Sequence, residues 1–107
     1  MTITAIRDAS ERRICAAVVR RALAAGYFVS VSDGELVTLR KSRDEAAIFD
    51  AMATTDADNL NIHRADGVRL GSVVLIYGNG EDVISDYSWA AATDGAAQAM
   101  DRLCEAD

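Results

Sequence analysis

The stretch Val68-Arg69-Leu70-Gly71-Ser72-Val73-Val74-Leu75-Ile76-Tyr77, then Gly78-Asn79-Gly80, then Asp82-Val83-Ile84-Ser85-Asp86-Tyr87-Ser88, decides the fold. It is rich in β-branched and aromatic residues, and no proline interrupts it. Val68 to Tyr77 reads as the longest strand. Its second half, Val73 to Ile76, is apolar at every position, which predicts a central strand covered on both faces. Gly78-Asn79-Gly80 predicts a tight hairpin turn, and Asp82 to Ser88 the antiparallel return.

Upstream, Asn59-Leu60-Asn61-Ile62-His63 alternates polar and apolar, the pattern of a half-exposed strand, and Asp66-Gly67 marks a tight turn after it. Residues 27–32 and 35–40 alternate likewise around Asp33-Gly34, a pair that favours positive φ and predicts a two-residue hairpin. Ser42-Arg43-Asp44-Glu45 has the form of a capping box and predicts a helix to about Ala53, with Ile48, Phe49 and Met52 inward. Residues 10–25 predict the first helix, capped by Ser10 or Asp8 and ended by Gly26, with Ile14, Cys15, Val18, Val19, Ala22 and Leu23 on its apolar face. Thr93 or Asp94 starts a last helix to about Glu105. The order α-β-β-α-β-β-β-α predicts an α+β fold: a single antiparallel sheet of about five strands packed by helices, with residues 1–107 as a single domain.

The 107 residues are enough for one core without disulfide or metal staples. No run approaches the roughly 20 apolar residues of a membrane span, and Met1 to Arg7 lacks the form of a signal peptide, so a cytoplasmic location is expected. The net charge of −6 is unevenly distributed. Residues 1–43 hold eight bases and four acids; residues 44–107 hold three bases and thirteen acids. The acidic part would repel nucleic acid and attract a protein surface built to hold it. Direct nucleic-acid binding is therefore not expected. Asp56, Asp58, Glu81, Asp82 and Asp86 are the candidate acidic contacts. Arg13, Arg20 and Arg21 on the first helix form a candidate basic face for a partner or a homodimer.

Catalytic and metal patterns are missing. His63 is the only histidine, and its strand parity places it with Asn59 and Asn61 on the polar, exposed face. Cys15 and Cys104 lie in apolar helical contexts and read as small buried hydrophobes. One histidine and two scattered cysteines cannot make an ordinary zinc set. The run Asp56 to Asn61 has no glycine at the sixth position of a calcium loop. Gly78-Asn79-Gly80 has neither the lysine nor the following helix of a phosphate loop. No catalytic residue, metal or cofactor is expected.

Three stretches carry a family resemblance: Val31-Ser32-Asp33-Gly34-Glu35, Thr54-Thr55-Asp56-Ala57-Asp58, and Leu75 through Tyr87. They resemble small proteins carried by bacteriophages and other bacterial mobile elements, over roughly residues 27–88. The resemblance implies a non-enzymatic protein that blocks host nucleic-acid-handling machinery, as CRISPR inhibitors do. A self-associating assembly protein using the arginine-rich helix is the alternative. A small enzyme using His63 or Cys15 is the third.

Overall fold

The computed structural model describes residues 6–105. The element order is the expected one: α1 (Ala9–Ala24), β1 (Phe28–Ser32), β2 (Val37–Ser42), α2 (Glu45–Ala51), β3 (Ala57–His63), β4 (Arg69–Ile76), a short 3-10 turn (Gly80–Asp82), β5 (Ile84–Trp89) and α3 (Ala96–Leu103). The strands make one sheet in the order β2-β1-β3-β4-β5, antiparallel at every pairing.

The alternation in β3 sets the two faces. Leu60 and Ile62 are buried, while Asn59, Asn61 and His63 turn the other way and are half-buried. In register with them, Val29 and Val31 of β1 and Val73 of β4 complete the buried face. Cys15, Val18, Val19 and Ala22 of α1, Ile48 of α2 and Met100 and Leu103 of α3 close over it as one continuous core. Each valine, isoleucine, leucine or methionine among them contributes about 1.5–3 kcal/mol on full burial. Among the described residues the opposite face carries no helix. Ser30, Asn61, Ser72 and Ser88 stand side by side across it, one from each of β1, β3, β4 and β5.

Several local expectations change. β4 is not the central strand; β3 is. Nor is β4 covered twice, since Val74 is half-buried and Ile76 exposed on the helix-free side. The Asp33-Gly34 connection is longer than two residues: the Asp33 carboxylate accepts the Glu35 and Leu36 amides, and β2 begins only at Val37. The cap of α2 is Asp44, which accepts the Ala46 and Ala47 amides, and Ser42 instead accepts the Asp44 amide. α2 ends at Ala51 rather than Ala53. α3 starts at Ala96, because the residues from Thr93 form a turn first. Asp8, one of the two expected caps, accepts the Glu11 amide at the start of α1.

Gly71 lies where both β5 and α3 crowd β4. A β-carbon there would lie 2.1 Å from the Ser88 carbonyl oxygen and 2.8 Å from Met100 Cγ. The first obstacle is backbone and cannot step aside. Gly71→Ala is expected to destabilise the domain by about 3 kcal/mol or more, read as a fall in the urea midpoint. A midpoint unchanged within error would show that β5 and α3 do not crowd β4 at this position as described.

Candidate functional site

Two buried carboxylates organise the side of the molecule where the acidic residues lie. Glu11, in the first turn of α1, is only 1% exposed. Its Oε1 accepts the Gly78 amide at 2.9 Å and its Oε2 the Gly80 amide at 3.1 Å. Gly78 and Gly80 both have positive φ, at 94° and 59°, so each amide is aimed by a backbone conformation that glycine adopts without strain. This replaces the expected simple hairpin: the chain crosses from β4 to β5 through a 3-10 turn held against α1.

Asp58 is the second, also 1% exposed. Its Oδ2 accepts the Ala53 amide at 2.8 Å and the Tyr77 hydroxyl at 2.5 Å, while Oδ1 is enclosed without a partner. Ala53 has φ 59°, a left-handed value that alanine rarely takes, and the bond from Asp58 helps to hold it there. Burial raises the Asp58 pKa, with the Tyr77 and Ala53 bonds pulling it back. Asp58 is therefore not a contact for a partner, contrary to expectation. It shares the parity of Leu60 and Ile62 and points into the core.

With the turn fixed, a groove of about 580 Å³ opens between α1, the 3-10 turn, β5 and the end of α3. Ile14, Ala17, Val18, Ile84 and Cys104 supply its apolar lining. Arg13, Arg21, Glu81, Asp82, Asp86 and Glu105 supply its charge. Glu81, Asp82 and Asp86, named from the sequence, thus come together. Asp56 is exposed but outside this groove.

The three arginines do not form one face. Arg13 and Arg21 line the groove, eight residues apart on one side of α1. Arg20 points elsewhere, with Nε 2.7 Å from Glu45 and its guanidinium over the Phe49 ring. Arg21 donates to the Leu103 and Glu105 carbonyls, tying α1 to the end of α3.

Tyr87, on the groove, donates its hydroxyl to Asp101 at 2.7 Å, and that bond is the main reason its pKa is raised. β5 is an open sheet edge, and Asp86 covers part of it by accepting the Tyr87 amide. Trp89, at the end of the same strand, is 48% exposed.

The groups an enzyme would draw on are arranged poorly for chemistry. Burial, reinforced by Glu11 and Asp58, pushes the Cys15 thiol up to about 12. Burial and Asp101 push Cys104 up to about 11. A thiol so rarely ionised at neutral pH is a weak nucleophile. His63 is half-buried rather than exposed as expected, and its Nε2 lies 3.3 Å from Ser30 Oγ. Among the described residues no acid orients the ring: Nδ1 is enclosed without a partner, and burial, Lys41 and Arg69 lower the pKa. Among the described residues no group of three histidine, cysteine or acidic side chains is placed to hold a metal ion, and no helix is long and apolar enough to cross a membrane. Comparison of the chain with protein-family models, curated proteins and solved structures gave no match.

The raised Asp58 pKa has a signed consequence. Between the unfolded value, about 3.9, and the higher folded value, the folded protein holds more protons than the unfolded chain. Asp58 therefore contributes most stability below about pH 4, and that contribution is lost as pH rises through its folded pKa. Asp58→Asn should flatten this part of the stability-against-pH curve, measured by urea unfolding from pH 3 to pH 8. A parent and variant with parallel curves would contradict the assignment.

Proposed function

We propose that this domain is a non-enzymatic protein-binding module whose acidic groove docks on a basic, nucleic-acid-handling surface of a partner and so inhibits it. One observation carries the reading: the exposed carboxylates of Glu81, Asp82, Asp86 and Glu105, from the 3-10 turn, β5 and the segment after α3, gather around one groove. Of the two arginines beside them, Arg21 is already engaged with backbone carbonyls of the α3 end. The surface left for a partner is predominantly negative.

Such a surface acts first on encounter. Clustered like charges steer an oppositely charged partner and accelerate association, more than they add final affinity. Affinity needs an apolar anchor as well, and Ile14, Ile84 and the exposed Trp89 of β5 offer one. The raised thiol pKa values and the lack of an acid at His63 support a binding role over a catalytic one. The resemblance to phage and mobile-element proteins supports the choice of target class, with CRISPR effector complexes as the first candidates.

The test is a pull-down with tagged protein from a nuclease-treated bacterial lysate containing CRISPR effector complexes, read by mass spectrometry at low and high salt. The proposal expects an effector protein to be retained at low salt and released at high salt. It expects the double variant Glu81→Lys/Asp86→Lys to lose about tenfold or more of that capture. Capture that ignores both salt and charge reversal would remove the groove from the account.

A further inference from the structure

We propose that Lys41 and Arg69, flanking His63 on the helix-free face of the sheet, form a binding site for a phosphate-type oxyanion. The site lies on the opposite side of the sheet from the helices and is independent of the acidic groove.

The residues are brought together by register and by hydrogen bonds. His63 of β3 stands between Phe28 of β1 and Arg69 of β4. Lys41 comes from the edge strand β2: its amide donates to Ser30 Oγ at 2.8 Å, and that oxygen faces His63. The Lys41 ammonium then reaches the β3–β4 hairpin, 3.7 Å from where a Gly67 β-carbon would be. On the other side, Ser72 Oγ accepts from the Arg69 guanidinium at 2.7 Å and is itself fixed by donating to Asn61. The relay holds Arg69 in place and leaves most of its donors for a ligand.

Two features make this more than a chance pair of surface bases. Lys41 has φ 40°, a left-handed conformation at a break in the β1–β2 register, and such positions concentrate where a ligand is held. Second, the positive charge is uncompensated in a chain of net charge −6. Among the described residues no carboxylate pairs with Lys41 or Arg69. Asp66 in the adjacent hairpin is taken by Arg64, at 2.8 Å, and by the Val68 amide. The charged groups around His63 are thus Lys41 from β2, Arg69 from β4, and the mutually neutralising Arg64–Asp66 pair. Two separate cations, one with a planar fork, suit an anion with several oxygens and more than one charge.

His63 is a built-in reporter because it is the only histidine in the chain. Burial and then the flanking cations disfavour its proton, and a bound anion would reverse the cations' part of that effect. The experiment is an NMR titration of the His63 imidazole, in inorganic phosphate and in chloride at equal ionic strength. A third arm uses adenosine monophosphate. In chloride the midpoint should lie below the ordinary imidazole value. Phosphate should raise the proton affinity roughly tenfold. Equal responses to both phosphates assign the site to the phosphate group alone, and a stronger response to the nucleotide assigns it to a phosphate ester. Lys41→Met should remove the effect. Arg69→Met, at an exposed position without the positive φ of Lys41, is the second variant should the first disturb β2. Identical midpoints in phosphate and chloride, or a response that survives both substitutions, would overturn the proposal.

Discussion

The Glu11 carboxylate accepting the Gly78 and Gly80 amides is the contact on which the acidic side of the molecule depends. It costs desolvation of a charge, and two charge-assisted hydrogen bonds offset that cost. It also gives two part-buried backbone amides their hydrogen-bond partners. Its geometric effect matters more. It fixes the crossing from β4 to β5 against the first turn of α1. The next turns of that helix, with Arg13, Ile14 and Ala17, then face Glu81, Asp82 and Asp86 across a gap. Asp58 holds the neighbouring Tyr77 from the other side, so the segment 77–80 is clasped by two buried carboxylates.

Much of the fold was legible because hydrophobic period and turn chemistry agree along the chain. The alternation at 59–63 identified β3, and Asp66-Gly67 the turn after it. What failed was local and has a shared cause: side chains or neighbouring segments took hydrogen-bonding roles that spacing does not reveal. Asp33 caps its own loop and lengthens it. Asp44 displaces Ser42 as the cap of α2. Glu11 draws the glycine turn into a 3-10 conformation. The apolar run Val73 to Ile76 was misleading because Val74 and Ile76 lie on an open face among small polar neighbours.

The candidate site was legible in part. Glu81, Asp82 and Asp86 meet as a group, but Asp58 does not join them. Its parity with Leu60 and Ile62 already placed it on the buried face. Glu11 likewise stands four residues before Cys15, on the apolar stripe of α1. The split of the arginines does not follow from helical spacing, since Arg13 and Arg20, seven residues apart, share a side of α1; Arg20 is drawn off by Glu45 and Phe49 of α2. Glu105 and Tyr87, too, reach the groove only through tertiary packing. So does the approach of Lys41 to His63, and no local pattern could announce either. Carboxylates gather around the groove, while Lys41 and Arg69 stand on the open sheet face, although Arg69 belongs to the acidic part of the chain and Arg13 and Arg21 of the basic part line the groove.

The turn at 78–80 is exposed on its outer side, yet its Gly78 and Gly80 amides are pinned to α1 by the buried Glu11 carboxylate. Native-state hydrogen exchange of the Gly78 and Gly80 amides tests that pinning directly. Both should exchange as slowly as the β3 amides, through global unfolding. Exchange at the rate of an unprotected loop would mean that Glu11 does not hold the turn, and the groove would have no fixed wall.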